Sequence, residues 1–274
     1  MSVLCQAVVY LTVALPAVAQ SQAIATITIK PARSADPRDT RVQLLPNGDL
    51  IARAVPVVSL FSYAYDLPVN GSPRISPLPD WTVRERYDIE IEAPANTIPP
   101  SLEDRSEVRG RIQQMMRQLL TDRFKLVMRV ENKTMAVYAL MVASGGPKLQ
   151  KSGLSDKECT FRTPEACHHF DGGLGHPLNA QAVDMDDVVH YIENWTDLPV
   201  VNRTALSGLF TLNTEGWSPM RLPPPPPNAA PAANPFAGLP TIFTVLDKLG
   251  LELNRQEEML PVYTVEHLER PAGN

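Results

Sequence analysis

The sequence contains few cysteines and no excess of positive charge. Cys5 lies in the N-terminal apolar run, so only Cys159 and Cys167 remain in the rest of the chain. Lys and Arg number 25 against 30 Asp and Glu, which gives a formal net charge of −5. Because nucleic acids and anionic membranes attract basic surfaces, neither is expected as the main partner. The same balance disfavours polyanionic small substrates and leaves neutral or cationic ones.

Several catalytic signatures are also absent from the sequence. It contains no Gly-x-Ser-x-Gly elbow, no phosphate-binding glycine loop and no dinucleotide-binding fingerprint. After the N-terminal run, no segment is long and apolar enough to suggest a membrane span. Metal-assisted hydrolysis and non-catalytic binding are the two function classes that remain to be weighed.

The first residues predict a secretory signal peptide at residues 1–19. Residues 3–18 are almost wholly apolar, and Ala17-Val18-Ala19 forms a small-x-small cleavage pattern before Gln20. The first positive side chain is Lys30, so the positive region that usually precedes such a run is missing. A buried N-terminal helix is the alternative. With a signal peptide, the protein is expected to be secreted or periplasmic.

The two remaining cysteines are expected to form a disulfide. An oxidising compartment favours pairing, and Cys159 and Cys167 would close a short loop. The alternative is a pair of free, buried thiols.

An internal repeat is the most informative feature of the sequence. Residues 52–67 (ARAVPVVSLFSYAYDL) resemble residues 180–198 (AQAVDMDDVVHYIENWTDL). After a three-residue insertion in the second segment, both share Asp-Leu-Pro, at Asp66–Pro68 and Asp197–Pro199. A second echo relates apolar positions of residues 124–140 to those of residues 249–265. Self-similarity at a nearly fixed spacing is typical of duplicated units. We therefore predict an α+β fold of two tandem copies of a small βαββαββ-type unit, with helices packed on one face of mixed sheets.

The repeat also divides the chain. Residues 20–149 are expected to form the first α+β domain, and residues 180–271 the second. Residues 150–179 would be a junction loop that carries the disulfide. The second domain contains a proline-rich insertion at 219–240, which is typical of a solvated spacer. Oligomeric state is not predicted.

Hydrophobic periodicity predicts the elements of each copy. In the first copy we expect strands at Ile24–Ile29, Leu50–Arg53 and Tyr87–Ala93, helices at Val57–Tyr65 and Glu103–Phe124, and a hairpin with arms Leu126–Val130 and Met135–Ala143. In the second copy we expect helices at Asp186–Trp195 and Ile242–Leu249, a strand at Phe210–Glu215, and a hairpin with arms Leu251–Arg255 and Val262–His267.

The junction CHHFDGGLGH, at Cys167–His176, is the main candidate site. Three of the five histidines lie in it, and the predicted metal ligands are His168, His169, Asp171 and His176. Imidazole nitrogens and a carboxylate are the ligands of catalytic zinc sites, where the metal converts bound water to hydroxide near neutral pH. A flexible, histidine-rich linker is the alternative, because the spacing matches no named zinc signature.

An acidic group follows the junction. Asp184, Asp186 and Asp187 offer hard oxygen ligands of the kind that hold calcium. Asp184 or Asp187 is also the expected catalytic base. The alternative is helix capping, because Asp184 occupies an N-cap position and the other two fall in the first turn. Both groups together would form one acidic metal site for zinc or calcium.

Short motifs spread along the chain resemble a known bacterial family. They are Ile29-Lys30-Pro31, Ala64–Leu67 (AYDL), Pro79–Trp81 (PDW), Arg86–Ile89 (RYDI), Leu119–Leu126 (LLTDRFKL), Val137–Leu140 (VYAL) and Gly145–Leu149 (GGPKL). On these motifs the chain resembles a secreted family of acidobacteria and other soil bacteria, a domain of unknown function that in some relatives is fused to a sensor metallopeptidase. The resemblance covers nearly the whole mature chain and implies fold and compartment, without a chemistry.

A second resemblance concerns each repeat. The order helix, strand, helix and hairpin, with Leu249–Leu253 (LGLEL) after the second helix, is similar to the short N-terminal domains of secretins and TonB-dependent receptors. Those domains dock or gate, which favours binding.

Two functions are therefore expected from the sequence. The first is a secreted, metal-dependent hydrolase of small neutral esters or lactones, such as acyl-homoserine lactone signals. The second is a non-catalytic envelope module that binds a peptide, a glycan or a partner protein along a sheet edge. The hydrolase is favoured narrowly because no channel or receptor segment follows to which binding could report.

Overall fold

The computed structural model describes residues 26–34, 36, 39–45, 47–68, 71–94, 105–156, 158–159, 167–173, 175–221 and 235–272. The predicted signal peptide and most of the proline-rich insertion lie outside these ranges. Within them are five helices and ten strands, which confirms the predicted α+β class. Among the described helices, none is both long and apolar enough to cross a bilayer.

The described elements are numbered in chain order. The strands are β1 (Thr26–Pro31), β2 (Arg41–Leu44), β3 (Leu50–Pro56), β4 (Arg86–Glu92), β5 (Val127–Val142), β6 (Gln150–Lys151), β7 (Pro177–Val183), β8 (Val200–Asn202), β9 (Phe210–Gly216) and β10 (Leu251–His267). The helices are α1 (Val57–Tyr65), α2 (Trp81–Arg84), α3 (Arg105–Phe124), α4 (Met185–Glu193) and α5 (Ile242–Lys248).

The first core lies between an antiparallel sheet, in the order β1-β4-β3-β2, and helices α1 and α3. Alternation along β4 explains this packing, because Ile89 and Ile91 are buried while Glu90 and Glu92 are exposed. A strand with that period presents one apolar face to a core and one polar face to water. The helices cover the apolar face.

The second core is assembled in the same manner. A smaller antiparallel sheet, in the order β6-β9-β7, packs with helices α4 and α5. Leu178 and Ala180 of β7 are buried, whereas Asn179 between them is exposed. These two sheets are purely antiparallel, so the expected mixed sheets are found only in the third sheet, in the order β10-β5-β8, where β8 runs parallel to β5.

Strands β5 and β10 join the two cores. They pair antiparallel over nearly their whole length, from Leu251 opposite Val142 to Val265 opposite Met128. Met128 packs against the first core, whereas Leu140, farther along the same strand, lies in the second. Strand β10 runs the opposite way, because Leu251 lies in the second core and Val265 packs against the first. Both cores are thus completed by the same two strands.

The two predicted hairpins are therefore wrong. The polar segment Glu131–Thr134 was expected to turn the chain, but it continues β5 and pairs with Met259–Val262 of β10. Backbone groups that a turn would have satisfied locally bond to the partner strand instead. The segment is polar because the middle of the ribbon is exposed between the cores; Met259, for example, is 69% exposed.

The register of this ribbon matches the sequence echo. In the echo, Met128 corresponds to Leu253 and Leu140 to Val265. In the structure Met128 pairs with Val265, and Leu140 pairs with Leu253. Exchanging each residue for its counterpart thus converts one pair into the other. Such a relation is what two copies about a two-fold axis would produce, although the division into two domains stays a prediction.

Candidate functional site

A cleft lies where helices α1 and α3 of the first core face helix α4 of the second. It has two adjoining lobes, with volumes of about 520 Å³ and about 580 Å³. Five residues line both lobes: Asp66, Arg109, Gln113, Asp186 and His190. Clefts of this size between packed elements are typical sites for small ligands.

We name the lobes after the residues that distinguish them. The Arg74 lobe is also lined by Tyr65, Gly110, Val189, Glu193, Pro199, Val200, Val201, Leu260, Pro261 and Tyr263. The Tyr191 lobe is also lined by Ser62, Tyr63, Val108, Ile112, His168, His169, Phe170, Asp187 and Asn194.

Helix α4 presents its acidic first turn at the mouth of the cleft. Its N-cap, Asp184, accepts a hydrogen bond through Oδ1 from the backbone N–H of Asp187 at 2.8 Å. Asp187 returns the contact, because its Oδ2 accepts from the backbone N–H of Asp184 at 2.9 Å. This reciprocal capping box fixes both carboxylates relative to the helix. The capping alternative for these aspartates is present in the structure.

His168 joins this pair of carboxylates. Its Nδ1 lies 2.6 Å from Oδ2 of Asp187 and 3.9 Å from Oδ2 of Asp184. Since a carboxylate only accepts hydrogen bonds, Nδ1 carries the proton in this contact. The side chain of His168 is 10% exposed and lines the Tyr191 lobe.

The backbone around His168 is held on both sides. The residue has a positive φ of 56°, and its N–H donates to the carbonyl of Ala182 at 2.6 Å. The preceding residue, Cys167, is buried and forms the expected disulfide with Cys159. These contacts fix the position at which the junction reaches the cleft. The structure contains the disulfide and not the alternative pair of free thiols.

The four predicted metal ligands are not brought together. His169 and Asp171 lie 3.7 Å apart on the surface, with side chains 57% and 70% exposed. His176 is also exposed, and its backbone N–H closes a turn onto Gly173. Of the four, only His168 belongs to a group of potential ligands within the described residues, and its companions are the predicted catalytic residues Asp184 and Asp187.

Both cores contribute to an ion cluster at the centre of the cleft. Asp66, the C-cap of α1, forms an ion pair with Arg109 of α3. Its Oδ1 also lies 3.3 Å from Nδ1 of His190 on α4. Desolvation in this crowded wall lowers the pKa of His190, against the opposing effect of Asp66. A neutral imidazole is therefore favoured here.

A buried ion pair forms the floor of the Arg74 lobe. Nη2 of Arg74 lies 3.5 Å from Oε1 of Glu193, and the two side chains are 12% and 6% exposed. Burial raises the pKa of Glu193 to about 7, because Arg74 and Arg221 offset only part of that effect and Asp66 adds to it. The long separation explains why, because Coulomb attraction falls with distance whereas the desolvation of a buried carboxylate does not.

Several residues that line this cleft have pKa values shifted by burial. Besides Glu193 and His190, burial raises the pKa of Tyr63, Tyr65 and Tyr191. Titratable groups perturbed by desolvation in a cleft are characteristic of functional sites. This pattern, rather than the histidine-rich junction alone, marks the region as the candidate site.

Sequence reasoning missed four of the central residues. Asp66 belongs to the repeated Asp-Leu-Pro, a motif whose sequence alone indicates no role. Glu193 is four residues after Val189 on the inner face of α4, where a carboxylate is unusual. Nothing in the sequence distinguishes Arg74 and Arg109 from arginines that lie on the protein surface.

Comparisons with known proteins give a family and no activity. No curated protein and no solved structure matches the chain. A family model described as a protein of unknown function, DUF3738, matches residues 58–268. That span includes every residue of the cleft and both strands of the ribbon. The chain therefore belongs to the DUF3738 family of proteins of unknown function.

Proposed function

We propose that the protein binds a small organic molecule in the cleft between helices α1, α3 and α4. One observation carries this proposal: two adjoining lobes share five lining residues, and the walls combine apolar, aromatic and ionisable side chains. Such a mixture of apolar lining and a few convergent polar groups is typical of ligand sites. This proposal keeps the non-catalytic binding function expected from the sequence, but it places the binding site in the cleft instead of along a sheet edge.

The second candidate function is hydrolysis of a small neutral ester or lactone, such as an acyl-homoserine lactone, within the same cleft. The observation that favours it is the group formed by His168, Asp184 and Asp187, whose ligand atoms lie within 4.8 Å of one another. One imidazole nitrogen and two carboxylates fit a divalent cation of the zinc or calcium type that keeps a position open for water. When bound, such a cation polarises a carbonyl and lowers the pKa of its water.

The residues of this group have defined tasks in that reaction. His168 would bind the cation through Nδ1, which requires the imidazole proton to lie on Nε2 instead. Asp184 and Asp187 would hold the cation while the backbone N–H groups of the capping box keep both carboxylates oriented. Exposed His169 and Asp171 would remain outside.

Metal analysis and an ester panel test the hydrolase. Purified protein is assayed for bound zinc and calcium, and then for turnover of small esters and lactones before and after chelation. His168→Ala is expected to abolish both metal and turnover, while the matched variant His169→Ala retains them. No metal and no turnover would reject the hydrolase and leave the binding function standing.

We also infer secretion and duplication. The disulfide between Cys159 and Cys167 supports an oxidising compartment, and the register of the ribbon supports two copies of one unit. Mass determination of the protein recovered from a producing bacterium tests the first of these, with cleavage after Ala19 as the expected result.

A further inference from the structure

The charges that line the cleft do not balance. The carboxylates are Asp66, Asp186, Asp187 and Glu193, and the guanidinium groups are Arg74 and Arg109. Arg109 pairs with Asp66, and Arg74 lies 3.5 Å from Glu193, whose pKa of about 7 leaves it only partly ionised at neutral pH. Even with Glu193 protonated, the three aspartates outnumber the two guanidinium groups, so the cleft carries surplus negative charge.

Asp186 is the carboxylate best placed to meet a ligand. It lines both lobes and is exposed, and among the described residues no Lys, Arg or His forms an ion pair with it. Its Oδ1 accepts one hydrogen bond, from Nδ2 of Asn202 at 2.8 Å. Neighbouring Asp187 is occupied differently, since it holds the capping box and His168.

Aromatic rings stand beside these carboxylates. Phe170 and Tyr191 stack with ring centroids 4.4 Å apart, and both line the Tyr191 lobe. Tyr63 lines the same lobe and is 42% exposed. The faces of aromatic rings attract cations, and their apolar area accommodates a hydrocarbon body.

Tyr191 also carries an unsatisfied polar atom next to this lobe. Its hydroxyl oxygen is buried and has no hydrogen-bond partner among the described residues. Buried polar atoms in native proteins are nearly always paired. Because this oxygen is inaccessible, a ligand could pair with it only after the Tyr191 side chain moves.

We infer that the cleft is selective for a small organic cation, with the cationic group near Asp186 and the apolar body against Phe170 and Tyr191. The inference rests on the proposed binding function and adds the ligand class. The aromatic lining points the same way as the charge balance. An anionic ligand would face the surplus carboxylates, because Arg109, the guanidinium that lines both lobes, is already paired with Asp66. Arg74 is only 12% exposed and faces Glu193.

Three probes of nearly equal size test the inference: 2-phenylethylammonium, 2-phenylethanol and phenylacetate. Isothermal titration calorimetry on the whole protein at low salt is expected to give the cation about tenfold higher affinity than the alcohol, the gain expected from one partly screened ion pair. Phenylacetate should bind least. Raising the salt concentration should reduce the preference for the cation and leave the affinity for the alcohol nearly unchanged.

The variant Asp186→Asn isolates the charge, because asparagine keeps the shape and the polar contact with Asn202. It should lower the ratio of cation to alcohol affinity to about twofold. Asp247→Asn, an exposed aspartate of α5 outside the cleft, should leave the ratio unchanged.

The outcomes separate the two claims. Binding of all three probes with equal affinity, or tightest binding of phenylacetate, overturns the cation inference and leaves the cleft as a binding site. Binding of none of them at millimolar concentration overturns the inference and the proposed binding function together. Because the wild-type salt dependence needs no variant, poor folding of Asp186→Asn would not obscure the result.

Discussion

At the scale of single residues, two side chains of the cleft stand on strained backbone. Asp66 and His168 have φ values of 55° and 56°, a region that costs a residue with a Cβ roughly 1 kcal/mol or more. Strain of this kind persists where the surroundings over-determine it, and it is frequent at functional sites. Here the surroundings are the ion pair with Arg109 on one side and the disulfide of Cys167 on the other.

Glu193 should make the stability of the protein depend on pH. Its pKa rises from 4.5 to about 7 on folding, so between those values the folded state holds a proton that the unfolded state has lost. The free energy of unfolding should therefore fall as pH rises from about 4.5 to about 7, by up to about 3 kcal/mol. Urea denaturation across this range, with wild type and Glu193→Gln compared, measures the effect.

The informative quantity is the difference in unfolding free energy between wild type and Glu193→Gln at each pH. It is needed because His190 changes the stability with pH in the opposite direction. Its lowered pKa means that stability is gained as pH rises towards 6.5. Glu193→Gln should remove only the falling contribution. The exposed variant Glu257→Gln serves as a control, and equal pH profiles for wild type and Glu193→Gln would contradict the assignment.

The candidate site was predictable from sequence only in part. Histidine next to a disulfide and an N-cap aspartate are local signals, and they located His168, Asp184 and Asp187. The link between His168 and Asp187 depends on how the junction folds back, which the spacing of His169, Asp171 and His176 could not reveal. Long-range contacts such as Arg74 with Glu193 leave no periodic trace.

At the scale of elements, helices were predicted better than strand pairings. The predicted helix Val57–Tyr65 coincides with α1. Helix α4 differs from its predicted bounds by one residue at the start and two at the end, and α5 by one residue at the end. Amphipathic period and capping residues are local, so they can be read from the sequence. The partner of Glu131–Thr134 lies more than a hundred residues away, and a polar tetrapeptide gives no sign of it. Strands β2, β6, β7 and β8 and helix α2 were also missed.

Loss of the α4 cap should weaken the helix that carries the cleft. In Asp184→Ala the backbone N–H of Asp187 loses its acceptor, and stability should fall by about 1 kcal/mol. Asp186 lies in the first turn of α4 but makes no capping contact. Asp186→Ala should therefore lower stability by less than about 0.5 kcal/mol. Urea denaturation gives both values, and equal losses would argue against the capping role.

The connection between α5 and β10 should tolerate no side chain. Gly250 has a φ of 70°, and a Cβ there would lie 2.1 Å from the carbonyl oxygen of Gly146. Gly250→Ala is expected to cost about 2 to 4 kcal/mol, from left-handed strain and from displacement of the facing turn. Gly145→Ala, where a Cβ meets nothing within 4 Å, is the matched control in thermal denaturation. Equal melting temperatures would show that the turn yields.

At the scale of the whole molecule, the two cores depend on each other. Each is closed by one end of β5 and one end of β10, so neither is complete without both strands. Short parallel contacts add to this, since β8 pairs with β5 near Tyr138 and Ile75 bridges β10 at Tyr263. We expect the molecule to unfold in one cooperative step.

Tryptophan fluorescence can follow one core while the other is weakened. In Trp81→Phe the remaining emission comes from Trp195 and Trp217, which belong to the second core. Adding Leu119→Ala, a fully buried change in the first core, should lower stability by about 2 to 5 kcal/mol. The fluorescence midpoint should fall with the circular dichroism midpoint. A fluorescence transition that stays at the Trp81→Phe value would mean independent domains.

The shared strands also limit how the two cores can move relative to each other. Many ligand-binding proteins with two domains open about a hinge and close around the ligand. Here the two cores are joined by two paired strands rather than by a single-chain linker, so parting them must bend this ribbon. If the cleft binds a small molecule as proposed, we expect its backbone shape to differ little between the free and the bound protein.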